Sequence, residues 1–123
     1  MAFYTDRKRA VGMGSAKTGT DNFWRMTMSS YGLLILTPLF LFTFGPQLGK
    51  PYEEVIAYFA KPFPSVIAGL MITVGFLHFI RGMRMVLEDY THGMVREWLV
   101  IAVTCVSYFA IGCGLFALAR LAL

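Results

Sequence analysis

The sequence predicts an all-α membrane protein with three transmembrane helices, an irregular polar arm before them, and a short interfacial helix between the first two. Three observations lead there. Apolar residues make up 57% of a chain of 123 residues, more than a domain of this size can hide in its own core, because small domains bury a limited share of their surface. They are gathered into three blocks near the length that crosses a bilayer core of about 30 Å, roughly 20 helical residues. At that depth no water can satisfy backbone groups, so each block must close its own hydrogen bonds as a helix. The length allows one domain, residues 23–123, behind an arm of residues 1–22.

The arm is polar, carries Gly12, Gly14 and Gly19, and shows neither helical nor strand period. Arg7, Lys8 and Arg9 give it the look of a targeting peptide. However, the first apolar block starts about a dozen residues later, and no small-residue cleavage site follows a short apolar core, so the arm is expected in the mature protein.

The first span is expected at about residues 23–44. Phe23 and Trp24 begin it, where aromatic rings favour the headgroup level. Pro38 removes a hydrogen bond and crowds the preceding turn, which predicts a kink. Gly45-Pro46 ends the helix. In the connection, Tyr52 to Phe59 has a helical apolar period with Glu53 and Glu54 at its start, where carboxylates favour the positive helix end. This predicts the interfacial helix. Pro62 and Pro64 then punctuate the chain, a second span is expected at about 65–90, and a third at about 98–121. No internal repeat or low-complexity tract is visible.

The formal net charge of +4 would suggest nucleic acid in a soluble protein. Here the charges sit at the ends of apolar blocks, so topology explains them and no nucleic-acid partner is expected. Arg7, Lys8, Arg9, Lys17, Arg25, Arg81, Arg84 and Arg96 fall on one side of a three-span chain; Lys50, Lys61 and Arg120 fall on the other. Cations accumulate in the cytoplasm, which predicts a cytoplasmic N-terminus and an outward C-terminus. Cys105 and Cys113 lie inside the third block without metal-ligand spacing and read as small packing residues.

His78 is the most informative residue. It lies inside the second block, where an ionisable side chain needs a partner or a role. A neutral imidazole is a common haem-iron ligand. Gly75 and Gly82 share its helix face and would leave room for a flat group to approach the backbone. The same pattern also fits a histidine hydrogen-bonded to a neighbouring helix beside glycines that permit close packing. A second cluster, Glu88-Asp89-Tyr90, ends the same block. A carboxylate and a phenol at the membrane edge can hydrogen-bond a quinone carbonyl and help deliver its protons, or they can be an interfacial tyrosine beside solvated acids. His92 reads as a solvated loop residue. Arg81 and Arg84 suit snorkelling to the interface, lipid headgroups or an acidic partner subunit.

The string HFIRGMRMVLEDYTHG resembles the second-helix signature of the smaller hydrophobic anchor subunit of succinate dehydrogenase. That family shows a His, a Gly four later, an Asp-Tyr pair ending the helix, and often His-Gly after one more residue. Here these are His78, Gly82, Asp89-Tyr90 and His92-Gly93. The arm is similar to that of the alphaproteobacterial branch, through Gly14-Ser15-Ala16-Lys17, Gly19-Thr20 and Phe23-Trp24. The resemblance implies a subunit of succinate:ubiquinone oxidoreductase, respiratory complex II, in the bacterial inner membrane. It makes His78 an axial ligand of haem b, with the second ligand coming from the larger hydrophobic subunit; Gly75 and Gly82, by their shared face with His78, would then pack beside the haem. It makes Tyr90 a hydrogen-bond donor to ubiquinone, with Asp89 beside it. Electrons would arrive from succinate through a flavoprotein and an iron–sulfur subunit. Some members hold the haem propionates with an Arg early in the first helix; Thr27 occupies the corresponding position here, and Arg25 is the nearby cation that the resemblance offers for that contact.

Two other readings use the same residues: an anchor of a fumarate reductase, and a cofactor-free membrane adaptor, which leaves His78 without a role. A proton-coupled transporter would need an intramembrane carboxylate, and the apolar stretches of the three blocks contain none. The chain carries no flavin fingerprint, iron–sulfur cysteine set or dicarboxylate site, so oxidation of succinate would belong to its partners.

Overall fold

The computed structural model describes residues 4–14 and 19–123. Among the described residues five α-helices follow one another: α1 (Asp6–Val11), α2 (Gly19–Phe44), α3 (Tyr52–Phe59), α4 (Pro62–Tyr90) and α5 (Gly93–Ala122), with a 3-10 turn at Gly45–Gln47. No strand occurs among the described residues. Three of the helices are long and apolar enough to cross a membrane, as the three apolar blocks predict. At 1.5 Å per residue they measure about 39 to 45 Å, longer than the hydrocarbon core, so their ends reach into the headgroup region or beyond.

The differences from the sequence reading lie at the ends. The arm is not irregular throughout. Thr5 caps α1, its side chain accepting from the Lys8 backbone N–H at 3.3 Å, and Gly12 ends it at φ +54°. Ser15, Ala16 and Lys17 of the arm motif lie outside the described residues. α2 begins four residues before Phe23, its first turns supported by an Arg25–Asp21 ion pair of 2.8 Å. It is helical through Pro38. α4 begins at Pro62 rather than at Ser65 because the first turn of a helix has no intrahelical acceptors for its N–H groups, so Pro62 and Pro64 lose nothing there. α5 begins at Gly93, φ +64°, and includes the polar stretch before Trp98. The anticipated interfacial helix is α3. Its Phe59 is buried and meets Phe44 at the end of α2, ring centroids 6.3 Å apart.

α4 is the central helix, packed against α2 on one side and α5 on another. The two-residue link Thr91-His92 folds α5 back along α4. Few large side chains are buried: Leu36, Phe59, Ile67 and Leu87 are, while phenylalanines such as Phe42, Phe109 and Phe116 face outward. In water that distribution would not hold a fold; in lipid the outward rings are solvated, and helices associate by close packing and hydrogen bonds instead. The α4–α5 seam does this with small residues. A Cβ on Gly114 would lie 3.0 Å from Ile72 Cδ1, and one on Gly69 would lie 3.3 Å from Leu115 Cδ2. Ala68 and Ser107 are buried as well.

Candidate functional site

His78 lies near the middle of α4, about 24 Å from its start and about 18 Å from its end by the helical rise. It is half-buried at the seam with α2. Its Nδ1 is 2.9 Å from Ser29 Oγ, and Ser29 Oγ donates to the Met26 carbonyl at 2.8 Å. Ser30 Oγ donates to the same carbonyl at 3.0 Å. Other hydroxyls at membrane depth satisfy themselves within their own helix: Thr43 on Phe40, Thr73 on Gly69, Thr104 on Val100. Ser29–His78 is the one side-chain hydrogen bond between helices among the described residues.

The two glycines beside His78 differ. Gly75 has nothing within 4 Å of the position a Cβ would take, and it lines an open apolar groove of about 690 Å³ with Phe40, Met71 and Phe79. Gly82 faces α2, where its Cβ would sit 3.7 Å from Met26 Cε, an ordinary contact. Room for a bulky group is therefore present at Gly75, in a groove that His78 does not line, while Gly82 serves the α2 seam.

Toward the other end of α4, a cavity of about 540 Å³ lies between α2 and α4, lined by Thr27, Ser30, Arg81, Arg84 and Glu88 among others. Arg84 pairs with Glu88 at 2.7 Å. Arg81 is half-buried and has no carboxylate partner among the described residues. Thr27 lines this cavity and donates to Phe23 O at 2.9 Å; Arg25 does not line it, is exposed, and is engaged with Asp21. Asp89 and Tyr90 end α4 in the open, Tyr90 with 83% of its surface exposed. Thr91 closes the helix behind them, its hydroxyl on the Leu87 carbonyl. His92 caps α5 without a side-chain bond and is exposed, as a solvated loop histidine would be. Cys105 and Cys113 are free. The described residues contain no cluster of metal-ligating side chains, so any metal held through His78 needs donors from elsewhere.

Residues 1–112 match the family described as the succinate dehydrogenase/fumarate reductase transmembrane subunit. The chain belongs to this family. A relative in Paracoccus denitrificans, the succinate dehydrogenase hydrophobic membrane anchor subunit, is 40% identical over 123 residues, 100% of this chain and 95% of the relative. No solved structure matches the chain significantly. The protein is thus a membrane-integral anchor subunit of succinate dehydrogenase, and its three long apolar helices are the anchor.

Sequence reasoning missed Ser29. The signal was available in principle: Ser29-Ser30 is a polar pair inside an apolar helix, and such side chains seek partners on neighbouring helices. Which of the two turns toward α4, and at what depth, needed the packing of α2 on α4.

Proposed function

We propose that this succinate dehydrogenase anchor contributes one axial ligand of haem b through an imidazole nitrogen of His78, and part of a ubiquinone-reduction site through Tyr90 with Asp89 beside it. The observation that carries the reading is the placement of these groups on one helix. A half-buried histidine sits at mid-membrane depth, and a free phenol sits about 18 Å further along, at the end of the span. Haem, when bound, supplies a one-electron carrier within the membrane. The residues fit it: His78 is near the middle of a span, one of its ring nitrogens is already occupied by Ser29, and the backbone at Gly75 is open. The propionate contact stays with Arg25 only if its pair with Asp21 opens; Arg81 is the cation nearest His78 in sequence that lacks such a pair.

In this reading the second haem ligand comes from the larger hydrophobic anchor subunit, and the iron–sulfur and flavoprotein subunits dock on the cytoplasmic face. The arm, with Arg7, Lys8, Arg9 and Lys17, lies on that side, as does Tyr90. The chain sits in a bacterial inner membrane with its C-terminus toward the periplasm, following the distribution of its cations. The anchor itself holds cofactor and quinone, and the dicarboxylate chemistry is done by its partners.

Tyr90→Phe tests the quinone half. It keeps the ring and removes only the donor, so the helix end should persist while one hydrogen bond is lost. In the assembled complex, succinate-to-ubiquinone electron transfer should fall several-fold, while reduction of an artificial acceptor that takes electrons from the flavin should persist. Parental turnover and apparent affinity for ubiquinone would make Tyr90 an ordinary interfacial tyrosine.

A further inference from the structure

We infer that Ser29 is a positioning residue for His78: it accepts a hydrogen bond from Nδ1–H, fixes the ring's tautomer, and leaves Nε2 as the nitrogen that meets iron. The inference rests on His78 being a haem ligand and specifies how the chain prepares it.

The argument is a count of protons and lone pairs. A serine hydroxyl has one proton and can accept as well. Ser29 Oγ lies 2.8 Å from the Met26 carbonyl, which can only accept, and 2.9 Å from His78 Nδ1, which can do either. If the hydroxyl gave its proton to Nδ1, a neutral ring would carry its own proton on Nε2. Nδ1 would be blocked by Ser29 and Nε2 by hydrogen, so neither nitrogen could bind a metal. If the hydroxyl gives its proton to Met26, Nδ1–H donates to Ser29 and both bonds are made. The Nε2 lone pair is then free, on the side of the ring away from Ser29. Only this second arrangement serves a ligand. It is the outer hydrogen bond that metal-bound histidines commonly make, with serine in the place a carboxylate or carbonyl more often fills.

Two consequences are specific. An acceptor on Nδ1–H makes the imidazole a better electron donor, which favours the oxidised metal and lowers the reduction potential. It also holds the ring plane against rotation. The residue acts on α4 from α2, so the electronic character of the proposed ligand depends on the packing of the two helices.

The test uses the complete, membrane-extracted complex carrying Ser29→Ala, Ser29→Thr or His78→Ala. The measurements are the haem b midpoint potential and the low-spin electron paramagnetic resonance spectrum, both independent of turnover. Ser29→Ala should keep a low-spin haem with a potential raised by about 59 mV, the equivalent of a tenfold shift in the oxidised-to-reduced ratio for one electron, and with altered g values from a freer ring. Ser29→Thr retains a hydroxyl that can bond back to its own helix and should restore both parental values; a residue that served only packing would not need the hydroxyl. Parental potential and g values in Ser29→Ala would overturn the inference while leaving His78 as ligand. A parental spectrum in His78→Ala would instead overturn the ligation on which it rests. If Ser29→Ala fails to assemble, Ser29→Thr decides: parental values support the hydroxyl's role, and a potential shifted as far as expected for Ala overturns it.

Discussion

The two faces of α4 are held by different physics. Against α5 it packs through absence: Gly114 admits Ile72 and Gly69 admits Leu115 so closely that an added Cβ would press on them. Against α2 it packs through a polar bond, Ser29 to His78, with the mostly apolar cavity that Arg81 and Arg84 line further along the same pair of helices. In lipid both devices hold helices together, since apolar burial drives little association there. They differ in what they leave behind. A seam of glycines leaves nothing to react. A seam that keeps a histidine keeps a group able to bind something, and a span tolerates such a group only where it is partnered. The comparison teaches that α4 meets α5 through small residues alone, while its seam with α2 holds the polar groups on which the proposed haem site rests.

Three substitutions can break or sharpen that contrast. The largest effect is expected at Gly114. A valine there brings a Cβ to 3.0 and 3.2 Å from two Ile72 carbons, and overpacking of this kind costs about 1–3 kcal/mol. Gly114→Val should lower the thermal midpoint of the detergent-solubilised complex while leaving the haem spectrum of the surviving complex parental, because the atoms nearest the new Cβ all belong to Ile72 and none to His78 or α2. A changed spectrum at parental stability would reverse the assignment of the two seams. Gly75→Ala should do less. Its new methyl meets nothing within 4 Å in this chain, so stability should hold, and if the proposed haem approaches that backbone, the change should appear in the haem spectrum. The smallest effect is expected at Arg25→Gln. The pair with Asp21 is exposed on both sides, and such pairs contribute roughly 0.2–1 kcal/mol; the thermal midpoint should barely move. A haem potential displaced by this variant would support Arg25 as the propionate contact.

The spans were legible because their signal is local and long: three apolar blocks can be nothing but helices at membrane depth. Their ends were not, for a physical reason. Hydropathy reports where the bilayer is, and a helix continues past it into the polar segments around Gly19, Pro62 and Gly93. The prolines at 62 and 64 look like breakers in sequence yet stand where a helix start accepts them. His78 and Tyr90 were legible as residue types out of place or at an edge. The partner of His78 was not, since Ser29 lies 49 positions away and only the packing of α2 on α4 brings the two together. The roles of Gly75 and Gly82 also separate only in three dimensions, one opening on a groove and the other meeting Met26.

The central claim is that the polar face of α4 exists to hold haem through His78. The most direct measurement is the visible absorption spectrum, oxidised and dithionite-reduced, of the purified complex carrying His78→Ala. The low-spin b-type bands should shift or disappear; partial retention of haem is compatible, because the partner anchor subunit would still offer its own ligand. Bands of parental position, shape and intensity in the assembled complex would contradict the account, and His78 would then be a histidine kept for its bond to Ser29 alone.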